Sequence, residues 1–190
     1  MSVNPLYLGC GVKCKPSTLH HYEQQKGWIL QEKYDGWWCH LDYDGEEVTC
    51  TSRKGNVLTR PTEVFNAGSK PRRPMELVGE WLPATEYLVV FDIIALDGRD
   101  LRHEPLTERL RILGDTQIFG NTYGIRSFRG SFKSHYDYVV AKGGEGVVLK
   151  YSDSLYVTGQ KDRKAKTWIK CKPRYEDETT AIDNHFHVAA

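Results

Sequence analysis

The chain has 190 residues, of which 39% are hydrophobic and 27% charged, and its formal net charge is +1. This composition is typical of a soluble globular protein. The balanced charge excludes a globally basic nucleic-acid binder, the apolar runs are too short to span a membrane, and the scattered cysteines fit neither a disulfide framework nor a zinc finger. We therefore expect an intracellular monomer with one domain at 1–175 and a polar tail at 176–190.

Strands dominate the predicted secondary structure. In chain order, the pattern predicts strands at 28–34, 38–43, 46–52, 86–96, 146–151 and 166–172. These segments are rich in aromatic and branched residues, and 86–96 reads as one continuous apolar run, which is typical of a fully buried strand. Asp44-Gly45 predicts a hairpin turn, after which Val48 and Cys50 lie on one face.

Two helices are predicted among these strands. Leucines recur at helical spacing in 106–113, with Thr107 as the expected cap. A second helix is predicted at 134–142 and ends at Gly143-Gly144. Strands joined in hairpins, with few helices, predict an α+β fold of antiparallel sheets with peripheral helices.

Six short fragments place polar residues inside or beside strand-like apolar segments. In chain order they are KYDG (33–36), SRKG (52–55), GEW (79–81), FD (91–92), EGVVLK (145–150) and WIKCK (168–172). Each fragment alone is weak, because short matches occur by chance and charges usually lie on solvated faces. Six fragments in one fixed order are much more specific, because the probabilities of independent matches multiply.

In this order the fragments resemble the nucleotidyltransferase motifs of the ATP-dependent DNA ligases, over about residues 28–172. The resemblance implies a ligase-type nucleotidyltransferase (adenylation) domain in which Lys33 becomes covalently linked to AMP. It also implies nucleotide contacts by Gln31, Glu32, Asp35, Gly36, Arg53, Glu80, Phe91, Glu145, Lys170 and Lys172. ATP is then the AMP donor, and nicked double-stranded DNA is the partner.

Particular roles follow from the same resemblance. The ring of Phe91 stacks on adenine, and Lys170 and Lys172 contact the nucleotide phosphates. Glu80 and Glu145 are implied to hold Mg²⁺, whose oxygen ligands also suit Mn²⁺. Exposed basic residues are expected to contact DNA phosphates, although each of them could equally be ordinary solvated surface. These residues are Arg53, Lys54, Arg72 and Arg73.

The chemistry of a nucleophilic lysine agrees with these roles. A lysine amine attacks phosphorus only in its neutral form, and a free lysine is almost fully protonated at pH 7. Neighbouring cations favour the neutral form and stabilise the charge on the transferred phosphoryl group and on departing pyrophosphate. Lys170, Lys172 and bound Mg²⁺ are expected to supply those cations.

The sequence departs from the family pattern at three points. Trp38 stands where the first motif often continues with an arginine, and an indole cannot replace a guanidinium as an anion donor. Gln31 stands where many relatives have a glutamate that reads adenine. The sequence ends soon after Lys172, so we expect no OB-fold domain here, and we expect weak self-adenylation unless an OB-fold domain or partner protein is supplied in trans.

Other interpretations stay open from the sequence alone. An RNA ligase shares the lysine chemistry, although KYDG differs from the KxHG of one large RNA-ligase group. An mRNA-capping guanylyltransferase would react with GTP. A non-catalytic module that binds nicks or ends would keep the fold without needing a covalent lysine. The chain itself is expected to be a single-domain ligase, a fragment, or a protein that borrows its missing half.

Overall fold

The computed structural model describes residues 11–156 and 165–175. Its strands are β1 (Gly11–Cys14), β2 (Trp28–Glu32), β3 (Trp37–Tyr43), β4 (Val48–Ser52), β5 (Met75–Leu82), β6 (Tyr87–Leu96), β7 (Arg99–Asp100), β8 (Thr122–Gly124), β9 (Ser127–Phe128), β10 (Val147–Tyr151) and β11 (Ala165–Cys171). Its α-helices are α1 (Leu19–Gln24), α2 (Thr59–Ala67), α3 (Leu106–Gly114) and α4 (Phe132–Ala141). The predicted α+β organisation is confirmed, whereas the predicted tail at 176–190 lies outside the described residues.

The described residues form two compact units. Unit 1 comprises Tyr34–Ile125 and 152–156, and unit 2 comprises 11–33, Arg126–Tyr151 and 165–175. Each unit is built on one sheet and has a hydrophobic core of its own. Among the described residues, no helix has the length and apolar character needed to cross a membrane.

The sheet of unit 1 has the order β4-β3-β5-β6-β7 with antiparallel pairing, and β8 pairs with β6 in parallel. The predicted hairpin between β3 and β4 is confirmed. Its turn is closed by Asp44, whose Oδ1 accepts hydrogen bonds of 2.8 Å from the backbone N–H groups of Glu46 and Glu47, as in an Asx turn. Val48 and Cys50 both enter the core, as predicted.

Strand β6 crosses the core of unit 1 with two bulges. Its core residues are Leu88, Val90, Ile93 and Leu96, whereas a regular strand would bury every second residue on one face. The pairing with β5 shifts register twice, and Phe91 is the extra residue between Val90 and Asp92. Bulges redirect side chains. Along β6 the side chains therefore switch from one face of the sheet to the other at positions that the apolar composition does not reveal.

Helix α3 was predicted correctly in its extent but not in its cap. Pro105 occupies the cap position. Thr107 lies within the first turn instead, where its hydroxyl donates to the carbonyl of Ser152 at 3.3 Å. The leucine side of the helix packs on the core through Leu113 and the partly buried Leu110, as the helical spacing indicates.

The sheet of unit 2 has the order β1-β11-β10-β2-β9. Strands β1 and β11 pair in parallel, and the other neighbours pair antiparallel. Helices α1 and α4 cover one face, where Leu19 and Phe132 meet the strand residues Leu30, Leu149 and Ile169. Helix α4 begins at Phe132, slightly before the predicted start, and ends as predicted before the glycine pair.

Candidate active site

The two faces of the unit 2 sheet carry different side chains. Cys171 lies in the core, and Lys170 and Lys172 flank it in sequence. Because side chains alternate along a strand, both lysines project from the opposite face. Lys33 lies three residues after the core residue Leu30 and therefore projects from that face too. We call this surface the polar face; its members are Lys13, Gln31, Lys33, Lys150, Trp168, Lys170 and Lys172.

Glu145 joins Lys33 to Lys172. Lys33 Nζ donates to Glu145 Oε2, and Lys172 Nζ donates to Oε1 of the same carboxylate. The backbone N–H of Lys33 donates to the carbonyl of Gly146 at 2.9 Å, which holds the lysine beside β10. The side chains of Lys33, Glu145 and Lys172 are 18%, 21% and 13% exposed, so water screens their charges less than it would on an open surface.

The carboxyl of Glu145 is ionised at neutral pH. Burial alone would raise its pKa, but hydrogen bonds from Lys172 and Lys33, together with their positive charges, outweigh burial and hold the pKa of Glu145 below its ordinary value. A carboxylate with a lowered pKa is a weak proton acceptor. Glu145 is therefore suited to orient the two amines and to offer oxygen ligands, rather than to remove a proton.

Glycine is required at position 146 for two reasons. Gly146 has a φ of +129°, which is unfavourable for residues with a side chain. A Cβ at this position would also overlap the carbonyl oxygen of Cys171 on the neighbouring strand β11. The glycine thus allows β10 to approach β11 directly beside Glu145.

The polar face contains two lysines that were not predicted as site residues. Lys13 of β1 is the register neighbour of Lys170, because β1 pairs in parallel with β11. Lys150 is only 6% exposed, and its Nζ lies 4.8 Å from the ring centroid of Trp168, within cation–π range. The alternation in EGVVLK could have indicated Lys150, whereas no local pattern indicates the parallel pairing that positions Lys13.

Gln31 and Glu32, both predicted to contact the nucleotide, lie on different faces of β2. Glu32 is half-buried and shares its face with the core residue Leu30. Gln31 is buried on the polar face, and its Nε2 donates to Ser127 Oγ at 2.9 Å. Its Oε1 is also buried, yet it accepts no hydrogen bond from any residue that the structure describes. Such an atom costs about 1–3 kcal/mol and is therefore a candidate ligand contact.

In unit 1, close packing fixes the glycine of KYDG. A Cβ on Gly36 would overlap the carbonyl oxygen of Trp81 and would lie 3.0 Å from Cγ of Glu80. The chain entering β3 therefore runs tightly along β5 beside Glu80, which is half-buried, and Asp35 is exposed just before this contact. Trp38 lies directly opposite Glu80 in the pairing of β3 with β5. The residue that replaces the family arginine is thus a neighbour of the predicted metal-binding carboxylate.

The Phe-Asp pair of β6 has two different environments. Phe91 is 8% exposed and lies at the bulge. Asp92 accepts two hydrogen bonds from Arg109 of α3, from Nε at 2.7 Å and from Nη2 at 2.9 Å. Nη1 of Arg109 donates to the carbonyls of Glu104 and Ser154 at 2.6 Å and 3.1 Å. Asp92 and Arg109 therefore form a buried connection between β6 and α3, which was not predicted.

The basic residues predicted to contact DNA lie on the surface of unit 1. Arg53 and Lys54 are exposed in the turn after β4, and Arg72 is exposed before β5. Arg73 is also exposed, and its Nε donates to Asp97 Oδ2 at 2.6 Å. The predicted residues are thus accessible, and one of them already has an acidic partner.

The predicted metal ligands offer carboxylate chemistry. Glu145 presents its two oxygens to Lys33 and Lys172, and Glu80 lies on β5. No group of three His, Cys, Asp or Glu side chains able to hold a metal ion occurs within 11–156 and 165–175. Mg²⁺ usually binds through one or two carboxylates, while substrate phosphates and water fill its remaining positions. Each carboxylate, taken by itself, therefore fits one ligand position of an Mg²⁺ ion whose other positions phosphates and water fill.

The chain is similar in sequence to several DNA ligases. Residues 78–172, half of the chain, match the model of the ATP dependent DNA ligase domain family. The chain is 38% identical over 87 residues to a probable DNA ligase of Pseudarthrobacter chlorophenolicus. The aligned region covers 44% of this chain and 16% of that protein. It is also 32% identical to DNA ligase 4 of Cryptococcus neoformans var. neoformans. That alignment is 199 positions long and covers 80% of this chain and 18% of that protein.

The same fold occurs in a solved structure of mycobacterial DNA ligase D complexed with ATP and MES. The TM-score is 0.59 and the identity 22%, over 76% of this chain and 54% of that one. The predicted nucleotidyltransferase fold is therefore confirmed. The chain spans less than a fifth of the length of the two curated relatives. Because the family model matches half of its residues, the chain belongs to the ATP dependent DNA ligase domain family.

Proposed function

We propose that the chain is the nucleotidyltransferase part of an ATP-dependent DNA ligase, which seals nicks in duplex DNA. The observation that carries the proposal is the arrangement of Lys33, Glu145 and Lys172, with Lys170 on the same polar face. A nucleophilic lysine needs nearby cations that bind the α-phosphate and the leaving pyrophosphate. The polar face supplies such cations within a single sheet.

The proposed reaction has three steps. Lys33 Nζ attacks the α-phosphorus of ATP as the neutral amine, and a nitrogen–phosphorus bond forms. Pyrophosphate leaves with the electron pair of the broken bond, and the proton that the nitrogen releases passes to water. AMP is next transferred to the 5′-phosphate of a nick, which frees the lysine and forms a DNA-adenylate. The 3′-hydroxyl then attacks the 5′-phosphate, joins the strand and releases AMP.

Glu145 and the lysines have separate roles in this proposal. Glu145 orients Lys33 through the hydrogen bond that it accepts from Nζ. Lys172 and Lys170 bind phosphate oxygens. An arriving phosphate competes with Glu145 for Lys172, so this lysine exchanges one anion for another and keeps an opposite charge beside it throughout.

The remaining predicted residues bind the nucleotide and the metal. Phe91 stacks on the base, and Arg53 contacts the ribose and the 5′-phosphate region. Glu80 and Glu145 would hold Mg²⁺ or Mn²⁺ with the help of phosphate oxygens. When bound, the ion supplies positive charge that the developing pyrophosphate needs.

The proposed DNA contacts involve Arg53, Lys54, Arg72 and Arg73. Arg73 and Asp97 are 52% and 46% exposed, so water screens their ion pair. A DNA phosphate can therefore replace the Asp97 carboxylate with little loss. An OB-fold domain, present in the whole protein or supplied by a partner, is proposed to complete the grip on the duplex.

Labelling with ATP tests the proposed nucleophile. The wild type, Lys33→Ala and Lys26→Ala are incubated with ATP and Mg²⁺ and compared by intact mass and peptide mapping. Lys26 is exposed in the same unit, so its variant controls for the loss of a lysine elsewhere. We expect one AMP on the peptide containing Lys33 in the wild type and in Lys26→Ala. An adduct that persists in Lys33→Ala would overturn the proposal.

Sealing assays test the substrate. Nicked duplex DNA and nicked duplex RNA, each also supplied with a pre-adenylated 5′-phosphate, are incubated with the chain in the presence and absence of an added OB-fold domain. We expect sealing of DNA, with faster self-adenylation when the OB-fold domain is present. Preferential sealing of RNA would support an RNA ligase instead. Binding without sealing of any substrate would support a non-catalytic module.

A further inference from the structure

Strands β1 and β11 end in the same tetrapeptide. Lys-Cys-Lys-Pro occurs at 13–16 and again at 170–173, and the first copy lies outside the six fragments. Each copy continues into a 3-10 helix that begins at its proline. The two strands pair in parallel, and their register places Cys14 beside Cys171. The two copies of the tetrapeptide therefore lie side by side and in register in the sheet of unit 2.

The cysteines and the lysines of the two copies lie on opposite faces of this sheet. Cys14 and Cys171 are buried in the core of unit 2. Because side chains alternate along a strand, the lysines before and after each cysteine project on the side of the polar face. The backbone of Lys15 is still extended, with a φ of −78° and a ψ of 145°, as is usual before a proline. We call these four residues the lysine cluster; they are Lys13, Lys15, Lys170 and Lys172.

The lysine cluster gathers like charges in a chain that is nearly neutral. The formal net charge of the chain is +1, yet each of two strands about 4.8 Å apart presents two amines on the same side. Like charges on directly neighbouring strand positions repel each other. Lys172 shares the Glu145 carboxylate with Lys33, and Lys13 is exposed to solutes. A multivalent anion bound along both strands would offset the repulsion among the amines.

The position of the lysine cluster in the sheet indicates which anion it meets. Lys33 directly follows β2, and the strand order continues from β2 through β10 and β11 to β1. The α-phosphate is expected beside Lys172, which Glu145 joins to Lys33. In an in-line displacement, the leaving group departs on the side of the phosphorus that faces away from the nucleophile. Across the sheet from Lys33, that side is the side of β1, where Lys13 and Lys15 lie.

We propose that Lys13 and Lys15 bind the β- and γ-phosphates of the donor nucleotide and hold the pyrophosphate as it leaves. The inference rests on the proposed function, because it requires attack by Lys33 on the α-phosphate. When the bond between the α-phosphorus and the bridging oxygen breaks, that oxygen keeps the electron pair, and the two amines stabilise the charge that develops on pyrophosphate. In the reverse reaction a pyrophosphate oxygen attacks the phosphorus of lysyl-AMP, the nitrogen leaves and takes up a proton from water, and ATP forms.

The reverse reaction tests this inference, because it requires pyrophosphate and no DNA. The adenylated chain is mixed with increasing concentrations of pyrophosphate and Mg²⁺, and the loss of AMP is followed by intact mass. The wild type is compared with the double variant Lys13→Ala with Lys15→Ala and with a second double variant that keeps both charges, Lys13→Arg with Lys15→Arg. The matched control is Lys26→Ala with Lys133→Ala, which removes two exposed charges from the same unit.

The alanine variant should need more pyrophosphate than the other proteins. We expect the concentration that gives half of the maximal rate to rise at least about tenfold, because the substitutions remove contacts with the bound anion. The arginine variant and the control should stay within about threefold of the wild type, because both keep the two positive charges of β1. A rise in the alanine variant that arginine does not reverse would contradict a role for the charges.

Sealing of pre-adenylated nicked DNA distinguishes pyrophosphate binding from other roles. This step neither uses nor releases pyrophosphate, so the alanine variant should seal at a rate within about twofold of the wild type. An unchanged pyrophosphate dependence in the alanine variant would overturn the inference and leave the nucleophile intact. Equal losses in AMP removal and in sealing would indicate DNA binding or folding of unit 2 and would overturn it as well. A wild type that forms no AMP adduct would overturn the proposed function together with the inference.

Discussion

Two sets of ion pairs, one in each unit, illustrate how the setting of a charge determines its use. Arg109 and Asp92 in unit 1 are 2% and 4% exposed, and two parallel hydrogen bonds join them. In unit 2, Glu145 shares its carboxylate between Lys33 and Lys172, all three partly exposed. The first pair is closed to solvent, whereas the second can exchange its partners for a phosphate. We infer that the first stabilises the fold and the second performs the chemistry.

The hydrogen bonds that each ion pair already makes support this distinction. Nη1 of Arg109 donates to two backbone carbonyls, so all three nitrogens of this buried guanidinium already donate hydrogen bonds within unit 1. Glu145 contacts two amines, of which Lys33 is predicted to attack the α-phosphorus and Lys172 to bind phosphate. A substrate anion can therefore compete for the lysines of unit 2. The difference predicts that variants of the two sets will separate stability from activity.

The largest expected effect on stability comes from Arg109→Met. The substitution leaves the carboxylate of Asp92 buried without its counter-charge, which costs about 3–5 kcal/mol of unfolding free energy. Urea unfolding followed by fluorescence measures this loss. The matched control is Arg111→Met on the same helix, whose side chain is 61% exposed, and its unfolding midpoint should stay close to that of the wild type.

A double variant makes this test sharper. Replacing both partners, as in Arg109→Met with Asp92→Leu, removes the charge that the single variant strands. We expect the double variant to recover much of the lost stability, because apolar side chains often replace buried ion pairs without loss. A single variant that unfolds at the wild-type urea concentration would contradict the structural role of the pair.

The second effect comes from the glycine beside Glu145. Gly146→Ala adds a methyl group at a φ of +129° and against the carbonyl oxygen of Cys171. Backbone strain of about 1–3 kcal/mol is then combined with a displacement of β11, which carries Lys170. We expect a lower unfolding free energy and at least a tenfold slower formation of the lysyl-AMP adduct.

Gly143→Ala is the matched control for this substitution. Gly143 also has a positive φ, of +78°, but no atom lies within 4 Å of the position that an added methyl group would occupy. The control therefore carries backbone strain without overlap. It should be destabilised less than Gly146→Ala and should keep adduct formation near the wild-type rate. Equal losses in the two variants would show that the contact with Cys171 is unimportant.

Sequence motifs located the residues of unit 2 better than those of unit 1. Lys33, Glu145 and Lys172 are far apart in the sequence, yet the order of the fragments was enough to group them, and the structure brings their side chains into contact. Period-two alternation also placed Lys170 and Lys172 on one face. Short motifs grouped these residues because they retain the residue types that the proposed chemistry requires.

Other features depended on long-range structure and were not predictable from local pattern. Arg109 lies in a segment whose charges are typical of an exposed helix face, and only its distant partner Asp92 makes it internal. The position of Phe91 depends on a register shift between two strands. Helices α1 and α2 were missed because α1 is a single short segment and α2 contains a proline and few apolar residues.

The third prediction concerns the charge of Glu145. Glu145→Gln keeps the shape of the side chain but removes the charge that orients Lys33 and Lys172. We expect about 10²-fold slower adduct formation, as is common when one preorganised electrostatic group is lost. The unfolding free energy should change by less than about 1 kcal/mol, because partly exposed ion pairs contribute little. Single-turnover labelling and urea unfolding measure the two effects on the same preparation.

The opposite result would contradict the distinction between a structural ion pair in unit 1 and a catalytic one in unit 2. If Glu145→Gln lowered stability as much as Arg109→Met and left labelling unchanged, the carboxylate would be a structural group. Glu63→Gln is the matched control, because Glu63 lies on α2 and is 60% exposed. It should leave both the labelling rate and the unfolding free energy near their wild-type values.

The smallest effect is the dependence of stability on pH. Because the pKa of Glu145 is lower in the folded chain than its ordinary value of 4.5, its carboxylate contributes stability that is fully present above that ordinary value. The contribution declines as the pH falls below 4.5 and is lost once the pH has passed through the folded pKa. The difference in unfolding free energy between the wild type and Glu145→Gln should therefore be constant near neutral pH and shrink in acid. A difference that grew as the pH fell would mean that protonated Glu145 is favoured by folding, which would contradict its contacts with Lys33 and Lys172.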